Sequence, residues 1–507
     1  MKYNFAFKST IRKYITAGYI LVAATITALV VANLPQTKEW YQTFWQEHLH
    51  FVVAGHDIFS HNGHSLTIGG FINDFLMAVF FLSVGLELKR EIFCGGELST
   101  IRKALLPCIA AVGGMVMPTL VFAISCKLTG DANFMDVMER GMPIPMATDI
   151  AFSLGVLSIF SKRVPLGLKV FLAALAVADD LGGIIVIAIK YTEHIAWEYL
   201  AGVVGCIAVC AGLSYKSVRS KLAYFLVGMI MWWLMFQSGI HATIAGVILA
   251  FCIPARLNHG TIYYIERIRT QIDKFPLYEV TRQDKHTPNM LTQRDIQNLR
   301  SIESASDHLI STLQDTEDVL RNPINMVIIP LFAFANAGVC FDGMSVNNLF
   351  QGIGLGVFLG LFVGKFTGVL LACWMSIKMR LVQMPDGANW SSLSGVAMLC
   401  GIGFTVSMFM ANLSYPLDFE GQTPAVMQTF LNDAKLGILC GTIVSALVGS
   451  LILHKTLPKA EDIKRADTLF YELKVLFTVS PADLDPGSDG KSAADSSQNR
   501  VRRVKKR

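Results

Sequence analysis

Apolar residues fall along this 507-residue chain in long charge-poor blocks separated by short polar breaks. Twelve such blocks, at about 14–34, 67–88, 104–126, 142–160, 165–189, 198–213, 220–235, 238–254, 324–340, 349–377, 392–414 and 432–454, approach the length of helix that crosses about 30 Å of hydrocarbon. The pattern predicts an all-α polytopic membrane protein of twelve transmembrane helices. Basic residues gather in alternate breaks: Lys89, Arg90, Arg102 and Lys103; Lys162, Arg163 and Lys169; Lys216, Arg219 and Lys221; Lys378 and Arg380. This asymmetry puts both termini on the cytoplasmic side, as an even helix count requires.

Two segments depart from the pattern. Residues 255–322 hold nine Lys/Arg and ten Asp/Glu among scattered Ile and Leu, which predicts a charged cytoplasmic insertion between helices 1–254 and helices 323–457. Residues 458–507 form a tail that is polar from Ser480 and ends in a basic cluster at Arg500–Arg507, predicted to be disordered towards its end. Composition agrees with a lipid environment: 53% of residues are apolar and 16% charged, against about 25% charged in soluble chains. The net charge of +5 is too small and too concentrated in the tail to suggest a nucleic-acid partner. Most of the ten cysteines lie inside apolar runs and none forms a CxxC pair, so they read as packing residues. The first apolar run follows Lys2, Lys8, Arg12 and Lys13 as a signal peptide would, but it is too long and lacks a clear cleavage site.

The informative residues are the charges inside the blocks, because an ionisable side chain at the bilayer centre costs about 2.5–3.5 kcal/mol on insertion scales. Asp179 and Asp180 stand side by side mid-span; two carboxylates in a low dielectric repel, titrate together, and can hold a proton or a hard cation in competition. In the fourth block Pro143 and Pro145 precede Thr148-Asp149, predicting a helix break with a carboxylate at a helix N-terminus. In the eleventh, Gly395, Gly401 and Gly403 weaken the helix centre ahead of Thr405. Lys365 is a mid-span cation that needs a carboxylate partner, Asp179 or Asp149. Asp74 lies inside the second block, while Glu87 and Glu91 share a helix face at its cytoplasmic end, either as a cation funnel or as a solvated helix end. His241 reads as a packed histidine before a proton carrier.

These residues resemble the NhaA-type Na+/H+ antiporter family over about 14–254 and 324–454. The resemblance rests on Phe71-Ile-Asn-Asp74-Phe-Leu-Met-Ala-Val-Phe-Phe, Val84-Gly-Leu-Glu87-Leu-Lys-Arg-Glu91, Ala147-Thr148-Asp149-Ile-Ala-Phe, Asp179-Asp180-Leu-Gly, Ser238-Gly-Ile-His241-Ala-Thr, Pro330-Leu-Phe-Ala-Phe-Ala-Asn-Ala-Gly338 and Leu399-Cys-Gly-Ile-Gly-Phe-Thr405. It implies inverted-topology repeats formed by spans three to five and ten to twelve, with two broken helices crossing between them. It implies Asp180 and Asp179 as the cation and proton carboxylates, with Thr148 and Asp149 contributing and Lys365 as charge partner. Glu87, Glu91, His241, Asp74 and Glu317 would serve pH response or cytoplasmic entry. The implied activity is electrogenic, pH-regulated exchange of cytoplasmic Na+ or Li+ for external protons by alternating access. It would need no cofactor, in a bacterial inner membrane, with lipids and a possible second copy as the only partners. The resemblance stops at the charged insertion and at the tail.

Rival classes fare worse on the residues present. A prenyl-transfer enzyme would want a third acid after Asp180, where Leu-Gly-Gly follows, and an intramembrane aspartyl protease would want an acid near Gly401. A passive channel or a cation sensor does not need a countercharged carboxylate pair.

Overall fold

In the computed structural model the described residues are 2–458 except 51, 54–55, 58, 62–63, 95–100, 131–133, 161–162, 193–194, 217, 256–260, 274–292, 308, 341–350 and 418–421. The predicted tail beyond Pro458 and the middle of the predicted insertion lie outside them. The chain divides into two units, Met1–Thr456 and Leu457–Arg507, and every element below belongs to the first.

Helix α1 (Lys2–Asn33) turns through 109° into a short α2 (Lys38–Gln46). Two small antiparallel hairpins follow, β1 (Val52–Val53) with β2 (His56–Asp57) and β3 (Ser60–His61) with β4 (His64–Ser65), in registers Val52↔Asp57 and Ser60↔Ser65. Thr67 then accepts the Gly70 N–H and starts α3 (Ile68–Phe93). Next come α4 (Ile101–Thr129), α5 (Met135–Glu139), α6 (Ile150–Ile159), α7 (Leu166–Lys190), α8 (Trp197–Tyr215), α9 (Lys221–Ser238) and α10 (Ile244–Cys252). Two charged helices, α11 (Thr261–Asp273) and α12 (Gln293–Asp307), pack on each other within the predicted insertion. The remainder is α13 (Thr312–Asn336), α14 (Gly352–Lys378), α15 (Trp390–Leu399), α16 (Phe404–Ser414) and α17 (Pro424–Thr456).

Among the described residues seven helices are long and apolar enough to cross a membrane, and ten if each of three bent pairs is one span. The seventh and eighth predicted blocks hold α9 and the nine-residue α10, separated by Gly239 at φ 82° and a turn through Thr243. Helix α13 starts earlier than its apolar block. Ser311 accepts the Gln314 N–H at 3.2 Å and Leu313 is buried, so residues 312–322, read from sequence as insertion, are the first turns of this helix.

Helix α4 shows how the bundle meets lipid. Val112, Val116, Leu120, Ile124 and Leu128 form an exposed stripe, four residues apart, while the opposite face packs closely on α14. A methyl on Gly113 would stand 2.5 Å from the Gly368 carbonyl, and one on Gly364 would stand 2.6 Å from Pro118 Cα. Small residues let these backbones touch, the packing that lipid-embedded helices favour where no hydrophobic difference drives them together. Helix α14 carries a π-helical turn at Gly360–Gly364, and α3 and α13 carry others at Ile72–Leu76 and Ile324–Ile328.

Candidate functional site

Both predicted breaks exist, and they meet. Pro143 and Pro145 confine the first half of the fourth span to a tight 3-10 turn at Ile144–Met146; the chain is extended at Ala147 and Asp149, and α6 resumes with a 42° bend. The second break, Cys400 to Gly403, separates α15 from α16 with a 45° bend. A break in a buried helix leaves N–H and C=O groups that must find partners. Here each broken helix serves the other. The Asp149 N–H donates to the Ile402 carbonyl at 2.7 Å, Thr148 Oγ1 to the Cys400 carbonyl at 3.0 Å, Ser153 Oγ to the Leu399 carbonyl at 3.1 Å and Ser407 Oγ to the Ile144 carbonyl at 2.8 Å.

The Asp149 carboxylate joins the two half-helices. Oδ1 accepts the Phe152 N–H at 2.9 Å and so caps α6, while Oδ2 accepts the Thr405 N–H at 3.2 Å and Thr405 Oγ1 at 2.7 Å in the first turn of α16. One carboxylate thus sits between two positive helix ends.

Helix α7 brings the aspartate pair beside this crossing. Asp179 and Asp180 are 1% and 2% exposed, and Lys365, directly after the π-turn of α14, is fully buried. Of the two candidate partners for Lys365, the one it meets is Asp179: its Nζ donates to Asp179 Oδ2, which also accepts Thr148 Oγ1 at 2.6 Å. The other Asp179 oxygen and both oxygens of Asp180 have no hydrogen-bond partner among the described residues. A buried carboxylate without partners is costly unless it is protonated or holds a cation. Carboxylate oxygens are hard donors, of the kind that take either a proton or a hard cation.

The predicted entry residues divide into two groups. Glu87, Glu91 and Glu317 gather around Arg90, which donates to Glu317 Oε1 at 2.5 Å, lies 3.2 Å from Glu91 and 3.9 Å from Glu87. Arg321 reaches the same Glu317 oxygen at 2.6 Å. At this end of α3 Glu87, Arg90 and Glu91 are partly exposed, as a solvated helix end would be, while Glu317 is buried and Lys89 donates to the carbonyls of Phe251 and Ile253 at the end of α10. A cleft runs inward from Glu87, Glu317 and Arg321, past Ser83 and Asn325, to Asp149 and Thr405. Asp74 and His241 lie elsewhere. They sit near the opposite end of α3, 3.9 Å from each other, with the His241 ring edge-on to Phe409.

Sequence reasoning missed four features. Thr405 stood in a motif without a role. The Arg90–Glu317–Arg321 bridge joins residues over 200 positions apart, a pairing no local spacing reveals. The amides of Asn73, Asn336 and Asn412 form a hydrogen-bonded chain. Lys435, which is buried in α17, was visible as a lysine in an apolar run and was passed over.

Comparison with known proteins adds the family. The family model described as Na+/H+ antiporter 1 matches residues 8–453. A protein of Bacteroides fragilis named Na(+)/H(+) antiporter NhaA is 48% identical over 447 residues, covering 88% of this chain and 96% of that one. Proteins of the same name from Phocaeicola vulgatus and Helicobacter pylori are 44% identical over 464 residues and 39% over 448, covering 90% and 88% of this chain and 97% and 94% of theirs.

Proposed function

The chain belongs to the Na+/H+ antiporter 1 family, and on that premise we propose that it exchanges cytoplasmic Na+ or Li+ for external protons by alternating access at Asp179 and Asp180. The observation that carries this reading is the open valence of the pair: Asp180 is buried yet has no hydrogen-bond partner among the described residues, beside an Asp179 held by Lys365 and Thr148.

A cation entering past Glu87 and Glu317 reaches the crossing of the broken helices, where Asp149 is already occupied in capping and therefore acts as a fixed negative neighbour. At Asp180 the cation replaces one proton, and as it draws Asp179 away from Lys365 the ammonium gives up a second; both leave to the cytoplasm. The Lys365 ammonium neutralises one of the two charges while the site is empty of cation. When the cation arrives, the positive charge it brings competes with Lys365 for Asp179, so loading loosens the pair. The site then opens outward, and external protons displace the cation. Because the same oxygens carry proton or cation but not both, uptake of one requires release of the other, which is exchange.

The fold we propose around this site has twelve spans, with α9 and α10 as the seventh and eighth and inverted repeats in spans three to five and ten to twelve. Both termini are cytoplasmic, the membrane is the inner membrane of a bacterium, and two protons enter per cation. One net charge then moves per cycle, and an inside-negative potential contributes about 2.3 kcal/mol per 100 mV. Regulation by pH belongs to the Glu87, Glu91 and Glu317 cluster, with Asp74 and His241 acting from the other end of α3.

Proteoliposomes with an internal pH dye test the exchange reading. Imposing an outward Na+ gradient should acidify the lumen even against a proton gradient, and dissipating the Na+ gradient should stop it. A conductance that reverses at the Na+ equilibrium potential whatever the pH gradient would mean a channel instead.

A further inference from the structure

The cleft that leads to Asp149 and Thr405 runs between two walls. Ser83 and Glu87 of α3, with Glu317 of α13, face Asp149, Thr405 and Val406 of the broken helices. The same seam continues past the site along α16, and its contents change in order. One turn beyond Thr405, the buried Phe409 fills it, with ring centroids 6.0 Å from Phe81 and 6.5 Å from Phe332. One further turn on, Asn412 Nδ2 donates to Asn336 Oδ1 at 2.7 Å, and Asn336 Nδ2 donates to Asn73 Oδ1 at 2.8 Å.

This amide chain crosses the seam. Asn412 belongs to α16, on the broken-helix wall; Asn336 ends α13 and Asn73 lies in the π-turn at the start of α3, both on the other wall. Glu87 and Glu317, at the mouth of the cleft, lie towards the far ends of the same two helices. Asn336 is 4% exposed, and Asn336 and Asn412 each hold a second bond to their own helix, at the carbonyls of Phe332 and Met408, which fixes their side chains in place. Asn73 and Asn412 are half-buried, and a polar contact between helices is modest enough in strength to break and re-form. Asn412 and Phe409 have no part in holding the cation or the proton in the mechanism above.

Resting on the alternating-access reading, we propose that the Asn412–Asn336–Asn73 amide chain is the bolt that closes the outer end of the seam while the cleft is open to the cytoplasm, and that the Asn412–Asn336 bond breaks in each turnover. Phe409 is the apolar plug beneath it. Outward opening then separates α16 from α13 at this rung, and closing re-forms it.

The test is a cysteine pair, Asn412→Cys with Asn336→Cys, oxidised in proteoliposomes, with the extent of cross-linking read by mass spectrometry. The two single variants treated identically are the controls. The expected result is at least a tenfold loss of Na+-driven proton flux in the cross-linked double variant alone, reversed by reductant. A cross-linked protein that exchanges at the rate of the single variants overturns the bolt. Single variants that show no Na+-driven proton flux, alongside a parent that also shows none, would instead refute the exchange reading. A second measurement needs no cross-link: Val406→Cys labelled by a membrane-impermeant thiol reagent added outside, with and without Asn412→Leu. Removing the amide should raise outside labelling severalfold; equal labelling also overturns the proposal.

Discussion

At the scale of single residues, the distinction that matters is which buried charges are partnered. Asp149 is saturated by two helix ends, Asp179 is half-committed to Lys365 and Thr148, and Asp180 has no hydrogen-bond partner among the described residues. These states assign different work to three carboxylates that look alike in sequence. Removing one partner of a fully buried ion pair leaves an uncompensated charge, which costs about 3–5 kcal/mol. Lys365→Met should therefore lower the melting temperature of the detergent-solubilised protein markedly, whereas Lys216→Met, at the exposed end of α8, should leave it unchanged. Equal melting temperatures would mean that the Lys365–Asp179 pair contributes no stability. The positions of these charges were legible because a membrane-length apolar run makes each exception conspicuous. Their pairing was not, since sequence offered Lys365 both Asp179 and Asp149, and only the packing of α14 against α4 and the crossing beside α7 selects Asp179.

At the scale of elements, prolines and glycines did the placing. Pro143 and Pro145 ahead of Thr148, and Gly401 and Gly403 ahead of Thr405, marked both breaks, because a missing N–H and a weakened helix centre are local properties of the chain. The reciprocal hydroxyl-to-carbonyl bonds were illegible, as they join residues about 250 positions apart. The start of α13 was also misjudged, because a polar amphipathic turn capped by Ser311 has no apolar run to announce it. The close contact of α4 with α14 carries its own prediction. Gly113→Val would drive a branched side chain into the Gly368 carbonyl, an overpacking that costs about 1–3 kcal/mol or more. Yield of folded protein from membranes should fall severalfold, while Val112→Leu on the lipid-facing stripe should change nothing. Normal yield of Gly113→Val would contradict the packing described.

At the scale of the whole molecule, one seam organises the protein. Its charged mouth lies at Glu87, Glu317, Arg90 and Arg321, its floor at the crossed helices, and its far end at Phe409 and the asparagine chain. A carrier needs such an arrangement, with access from one side and closure on the other around a site that holds one charge-balanced load at a time. The predicted helix class and the two helix breaks follow from hydrophobic blocks and their interruptions, whereas the crossing of the broken helices is implied by the family resemblance alone. The closure follows from neither, because three asparagines carry no hydropathy signal and acquire meaning only when α3, α13 and α16 meet. The central claim is that the open valence of Asp180 carries the exchanged ions. The most direct measurement is Na+-induced collapse of a respiration-generated pH gradient in everted membrane vesicles, comparing the parent with Asp180→Asn at equal amounts of folded protein. The parent should dissipate the gradient on addition of Na+ and the variant should not respond at any Na+ concentration; a variant that still dissipates it would contradict the account.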